Sequence, residues 1–138
     1  MDIKKAFLFD ISRHPDERGT MAVIEGDMDI PFEIKRIFYI YGTDSGAVRG
    51  RHANYKTEFV MICINGSVKV RIDYGHGFQQ EFILDKPEKG LFIPRLLWKD
   101  MYDFSDGAVL LVLASEHYDP EEYIRSPEDY DHLKANEK

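Results

Sequence analysis

A single histidine set among basic residues is the chemical core of this chain. In Arg49-Gly50-Arg51-His52-Ala53-Asn54-Tyr55-Lys56-Thr57-Glu58 one imidazole lies between guanidinium groups, just ahead of the apolar run Phe59-Val60-Met61-Ile62-Cys63-Ile64. Imidazole titrates near neutrality. Neighbouring cations disfavour its charged form and hold it as a free base. The same cations bind a diphosphate, arginine through its planar two-pronged fork. A base beside anion-binding groups is equipment for proton transfer on a phosphorylated substrate. Spacing alone leaves His52 open to a second reading, a hydrogen-bonded histidine at the mouth of a barrel.

Other side chains join it as candidates. Lys99 can donate a proton or stabilise an oxyanion. Arg36 lies in an apolar stretch, and an inward arginine there needs an anion. Tyr39 is a proton donor or a core aromatic, and Trp98 and Tyr102 either stack on a base or close the core. His14, His76, His117 and His132 fall in polar or turn segments and read as surface. Asp10, Asp16 and Glu17 form no paired-carboxylate site, and neither a phosphate-binding glycine loop nor a nucleophile elbow is present.

The elements that must position these residues read as β almost throughout. Strands are expected over residues 5–9, 20–25, 34–41, 58–64, 68–74, 80–84, 90–94, 98–104 and 108–114. Asn65-Gly66 is the sequence of a tight β-hairpin, and Val68-Lys69-Val70-Arg71-Ile72 alternates as a half-buried strand does. Helices are expected only at the end, over 120–124 and 127–135, each opening with proline and early acidic residues. The expected fold is all-β, a β-sandwich or jelly roll with short C-terminal helices, in one domain spanning residues 1–138. Its edges must be covered, and dimerisation by exchange of the N-terminal strands would cover them.

Composition excludes several classes. Of 138 residues 43% are hydrophobic, enough for a core, and the net charge of −7 argues against a nucleic-acid partner. The lone Cys63 excludes an internal disulfide and reads as a buried apolar residue. No apolar run approaches the length of a membrane span. Met1-Asp2-Ile3-Lys4-Lys5 lacks the apolar region of a signal peptide, and a cytoplasmic location is expected.

The stretch also resembles the metal site of small cupin barrels with ligands removed. Such barrels carry His-x-His, a following glutamate and a later third histidine; here the places hold His52, Asn54, Glu58 and Lys99. Asparagine is a poor transition-metal ligand and a charged lysine repels a cation, so neither a metal nor another cofactor is expected.

A closer resemblance runs through most of the chain. It rests on Asp16-Glu17-Arg18-Gly19, Ile30-Pro31-Phe32-Glu33-Ile34-Lys35-Arg36-Ile37-Phe38-Tyr39, Arg49-Gly50-Arg51-His52-Ala53, Asn65-Gly66-Ser67, residues 91–98, Tyr102-Asp103-Phe104-Ser105, Leu113-Ala114-Ser115-Glu116-His117-Tyr118-Asp119 and Tyr123-Ile124-Arg125. In these the chain resembles the cupin-fold nucleotide-sugar 3,4-ketoisomerases, the WxcM-like family acting on dTDP-4-keto-6-deoxyglucose. The resemblance implies a metal-free, domain-swapped homodimer that moves a keto group from C4 to C3 of a dTDP-linked sugar through an enediol. It implies His52 as base and Arg36 and Arg49 as diphosphate ligands. Arg51, Trp98 and Tyr102 join them as expected substrate-binding residues. Asn54, Lys99, Tyr39 and Arg18 would shape the sugar pocket. Asn54 and Lys99 depart from the family pattern, and the positions of Arg18 and Lys99 are those expected to influence the C4 epimer formed. A catalytically silent sugar-nucleotide binder and a C3 or C5 epimerase are the alternatives.

Overall fold

The computed structural model describes residues 4–137. In chain order its strands are β1 (Phe7–Asp10), β2 (Ser12–Asp16), β3 (Gly19–Val23), β4 (Arg36–Tyr41), β5 (Arg49–Asn54), β6 (Phe59–Asn65), β7 (Val68–Gly75), β8 (Phe78–Leu84), β9 (Lys89–Ile93), β10 (Trp98–Tyr102), β11 (Val109–Ala114) and β12 (Tyr123–Ile124). A 3-10 turn, Pro120–Glu122, precedes β12, and one helix, α1 (Pro127–Ala135), follows it. The fold is all-β, as the strand pattern predicts.

The strands form two five-stranded sheets, β1-β9-β6-β11-β4 and β12-β5-β10-β7-β8, and the β2–β3 hairpin stands by itself. The main core lies between the large sheets. Phe59, Met61, Cys63, Leu91, Ile93, Leu110 and Val112 from one meet Val68, Val70, Ile72, Phe82, Leu84 and Met101 from the other. Alternation along β7 sends Val68, Val70 and Ile72 inward and Lys69, Arg71 and Asp73 outward. β6 is covered on both faces. Its even-numbered Val60 and Ile62 join Ile11, Ile30, Phe32, Phe92 and Leu113 in a second cluster behind the first sheet. That double burial explains its unbroken apolar run.

Two expectations are corrected. Asn65-Gly66 does not close a hairpin, because β6 pairs with β9 and β11 while β7 pairs with β8 and β10. Both strands have partners on each side, so the turn carries the chain from one sheet to the other. Gly66 has φ 75°, and a Cβ there would collide with Ser105 Oγ and stand 3.0 Å from Ala108 Cα. The close approach is tied down by Asn65 Nδ2 donating to the Gly107 carbonyl (2.8 Å) and Ser67 N–H to Ser105 Oγ (2.8 Å). The tight hairpin is instead at Gly75-His76-Gly77, between β7 and β8.

The second correction concerns residues 120–124. Asp119 caps only a single 3-10 turn, accepting from Glu121 N–H at 3.0 Å. Tyr123 and Ile124 then extend and pair with Asn54 and Ala53 on β5. Edge pairing and burial of Ile124 against Ala53 and Tyr130 outweigh the helix start signal. α1 forms where expected, with Ser126 Oγ accepting from Asp129 N–H.

Candidate active site

Strand register brings the basic segment and Lys99 together. β5 and β10 are antiparallel neighbours, and Lys99 lies directly opposite His52. Residues opposite one another share a face of the sheet, and here that face is the interior. Asn54, two residues on from His52, shares it. The ladder then slips: Asp100 pairs with Gly50 and Met101 with Arg49, leaving Arg51 as the extra residue of a bulge. Gly50 and Arg51 both take left-handed backbone, φ 85° and 57°. A Cβ at Gly50 would stand 2.9 Å from the Lys99 carbonyl oxygen and 3.1 Å from Met101 Sδ. Only glycine admits that contact, so Gly50 sets the spacing between the imidazole and the ammonium strand.

The result is a cavity of about 190 Å³ lined by Phe38, Ile40, Arg49, Gly50, His52, Phe59, Met61, Lys99, Met101, Tyr123 and Arg125. Its inner wall is apolar and its charges are nearly all positive. The Lys99 side chain is 2% exposed. Its ammonium donates to Asn54 Oδ1 at 3.3 Å and sits 4.7 Å from the centre of the Phe59 ring. Asn54 Nδ2 in turn donates to Glu122 Oε1 at 2.8 Å. The His52 and Tyr123 rings pack at 4.9 Å.

Three buried side-chain atoms have no hydrogen-bond partner among the described residues: His52 Nδ1, Arg36 Nε and Arg36 Nη2. Buried polar atoms are normally satisfied. Arg36 packs against two residues that line the cavity, its Nη1 donating to Tyr123 Oη at 3.3 Å and its guanidinium lying over the Phe38 ring and over Tyr118. A guanidinium with two free nitrogens beside a cationic cavity can take an anion. A larger cleft, about 510 Å³, lies among Lys4, Lys5, Tyr74, Phe78, Arg95 and Lys134, but none of these three unpartnered atoms belongs to it.

Burial and charge set the protonation states. Burial first, and then the Lys99 ammonium, lower the His52 pKa to about 4, with Arg125 adding to the effect. The ring is therefore the free base at neutral pH. Burial lowers Lys99 to about 7 against the opposing pull of Glu122. Lys99 can thus give up and regain a proton under physiological conditions, as an acid–base group must.

The other expected site residues lie elsewhere. Arg51 is exposed on the bulge. Trp98 and Tyr102 are on the outer face of β10, because a strand that turns Lys99 and Met101 inward turns their neighbours outward. Trp98 packs on Tyr130, and Tyr102 donates to Glu81 beneath the Arg71 guanidinium. Tyr39 is 61% exposed on the outer face of β4, stacked on Tyr41. Arg18 is at the tip of the β2–β3 hairpin, paired with Asp16. None of these five lines the cavity of its own chain. Sequence reasoning missed Glu122, placed Tyr123 in a helix over 120–124, and used Arg125 only as part of the family resemblance without a site role. Their alternation, Tyr123 and Arg125 about an apolar Ile124, was the available signal of a strand. Among the described residues no group of three His, Cys, Asp or Glu is placed to hold a metal ion, and no helix is long and apolar enough to cross a membrane.

A two-sheet all-β fold thus brings an imidazole, a buried ammonium and arginines to one cavity, an arrangement able to move a proton beside an anionic group. Residues 4–135 match the family FdtA: WxcM-like, C-terminal, and the chain belongs to that family. It is 44% identical over 119 residues, 86% of this chain and 83% of the relative, to the TDP-4-oxo-6-deoxy-alpha-D-glucose-3,4-oxoisomerase of Aneurinibacillus thermoaerophilus. The crystal structure of a His→Asn mutant of the 3,4-ketoisomerase QdtA from Thermoanaerobacterium thermosaccharolyticum, in complex with TDP-4-keto-6-deoxyglucose, superposes with TM-score 0.93. Identity is 39%, covering 98% of this chain and 97% of that one. A 3,4-ketoisomerase from Helicobacter canadensis superposes equally well, TM-score 0.93, at 37% identity over 97% of this chain and all of that one.

Burying Lys99 should be visible in stability. Its folded pKa is below its unfolded value, so the unfolded chain holds more protons between pH 7 and 10.5 and stability rises with pH across that window. Lys99→Met should abolish this rise. At pH 7 it should be more stable than the parent by about 1–4 kcal/mol, less whatever Asn54 Oδ1 forfeits on losing its donor. Urea titrations at pH 7 and pH 10 check both statements.

Proposed function

We propose that the chain isomerises a TDP-4-keto-6-deoxyhexose to its 3-keto isomer, with His52 as the base. The observation that carries this is the neutral imidazole beside a buried ammonium, in a cavity flanked by Arg36, two of whose guanidinium nitrogens have no partner among the described residues. A cavity of about 190 Å³ is smaller than the roughly 300–1,000 Å³ of common ligand clefts. It suits the sugar, with the nucleotide outside and the diphosphate against Arg36, Arg49 and Arg125.

The hydrogen on C3 is acidic because the C4 carbonyl accepts the electrons it leaves behind. His52 takes that proton, the C3–H pair forms the C3–C4 double bond, and the C4 oxygen becomes an enediolate. Lys99 faces this charge and stabilises it. The C3 hydroxyl passes its proton to the C4 oxygen, the double-bond electrons take the proton held by His52 at carbon C4, and C3 becomes the ketone; His52 is again the free base and no atom is gained or lost. Asn54 holds Lys99 in place. Substrate binding also tunes the base. A diphosphate at the rim favours the protonated imidazole and offsets Lys99 and Arg125, raising the His52 pKa from about 4 toward the range where it accepts a proton from carbon.

The same family membership and fold support a cupin-like jelly roll acting as a cytoplasmic homodimer. The β2–β3 hairpin is exposed save for half-buried Val23, and among the described residues it pairs with no other strand. An isolated hairpin is marginal in water. The outer face of the edge strand β4 presents Ile37, Tyr39 and Tyr41, 60–70% exposed. Exchange of N-terminal strands between two copies covers both features. It also gives Arg18 a route to a cavity, that of the second copy.

Incubation with TDP-4-keto-6-deoxyglucose in D2O should yield the 3-keto product with deuterium at C4, followed by NMR. His52→Asn should cut turnover by about 10²–10⁴-fold and leave TDP affinity intact. TDP binding without exchange would make the chain a silent binder, and deuterium at C5 an epimerase. In sedimentation equilibrium at micromolar concentration the parent should be a dimer, and an Ile37→Glu, Tyr39→Glu double variant a monomer; a monomeric parent removes the exchange.

A further inference from the structure

We propose that Glu122 is a positioning residue that acts through Asn54 on Lys99, so that the carboxylate, the amide and the ammonium form one unit. The catalytic consequence rests on the isomerase reading; the link between the three side chains does not.

Glu122 is 6% exposed, ends the 3-10 turn, and does not line the cavity. Four donors converge on its carboxylate. Asn54 Nδ2 is at 2.8 Å, Lys56 N–H at 2.8 Å, Thr57 N–H at 3.3 Å, and the Thr57 hydroxyl also donates. Burial alone would raise its pKa, but these hydrogen bonds outweigh that and hold it ionised. A buried carboxylate ordinarily takes a cation directly. Among the described residues this one has no ion pair, and Lys99 reaches it only across Asn54.

That geometry dictates which way Asn54 points. With Nδ2 on the carboxylate and Oδ1 on the ammonium every contact is donor to acceptor. A flipped amide would set its oxygen against the carboxylate and its NH2 against NH3⁺, two repulsive contacts in a dry site. Glu122 therefore fixes the amide, and the amide fixes the ammonium opposite His52. The two departures from the His-x-His pattern become one matched change: the amide oxygen needs a pure donor, and lysine at 99 supplies it.

Glu122 also supplies the negative charge nearest to Lys99. The groups facing that ammonium are His52 and Arg49 from β5 and Glu122, Tyr123 and Arg125 from the C-terminal segment; β4, β6 and β7 bring only the uncharged Phe38, Ile40, Phe59, Met61 and Ile72 to it. Of these Glu122 is the anion, so its removal must ease proton loss from Lys99.

The test follows Lys99 directly. The ligand-free, full-length chain is labelled with ¹³C-lysine, the Lys99 signal is assigned by its loss in Lys99→Met, and its titration is read by NMR. In Glu122→Gln the midpoint should fall by about one pH unit, and Glu122→Asp should restore most of it. In turnover, Glu122→Gln should lose about 10²-fold in kcat with KM little changed, and the limb of the pH–rate profile belonging to Lys99 should move with the NMR midpoint. Asn54→Leu, which keeps the carboxylate and removes the bridge, should also lower the midpoint, and it carries the test if Glu122→Gln does not fold. An unmoved Lys99 midpoint in these variants overturns the proposal, even where turnover falls. If the parent shows no isomerisation, the NMR midpoint still decides the link.

Discussion

Everything in this site depends on one constraint: an ammonium held out of water directly across a strand pair from an imidazole. A cation moved into an apolar interior loses several kcal/mol of hydration. The chain compensates in part with an amide oxygen at 3.3 Å, an aromatic face at 4.7 Å and a carboxylate one residue further back. Compensation stays incomplete, which is why Lys99 is drawn down to about 7. A fully paired lysine would be inert at neutral pH. The site keeps a lysine that folding alone would replace, and keeps it where its proton can move.

The architecture follows from holding that pair. Lys99 and His52 are 47 positions apart in sequence and meet only because β5 and β10 are adjacent in the second sheet. The bulge at Gly50-Arg51 then lets Arg49 reach the cavity that regular pleating would have denied it. β12 lies along β5 at the level of Asn54 and Ala53. It thereby delivers Tyr123 and Arg125 to the mouth and Glu122 to the rear. Opposite sides of one short segment serve the cavity and its support.

Local patterns were legible in the sequence, and long-range partners were not. The alternation of Val68-Lys69-Val70-Arg71-Ile72 and the cap-and-proline start of α1 were read correctly, because both signals are local. Asn65-Gly66 misled because a glycine turn reports a change of direction and is silent about which sheet receives the next strand. His52 stood out in the sequence by its basic neighbours, and the structure places it in the cavity with Arg49 and Lys99. Trp98 and Lys99 could not both face inward, since consecutive residues of a strand point opposite ways. That constraint was present in the sequence, but choosing between them required knowing that Lys99 lies across from His52. Glu122 was hidden more deeply: its role comes from contacts with Asn54, Lys56 and Thr57, more than sixty residues away.

The unpartnered atoms complete the electrostatic account. Arg36 Nε, Arg36 Nη2 and His52 Nδ1 each lack a partner among the described residues, and the charges around them are chiefly cationic. Such a surface repels protons from His52 and attracts anions, and the two effects oppose each other once an anion arrives. On the proposed reading a sugar diphosphate at the rim would offset these charges, restore basicity to the imidazole and bring an acidic carbon hydrogen to it in the same event. An uncharged sugar would do only the last of these. Selection of nucleotide-activated sugars would then rest in part on the protonation equilibrium of His52, in addition to any contact with the nucleotide.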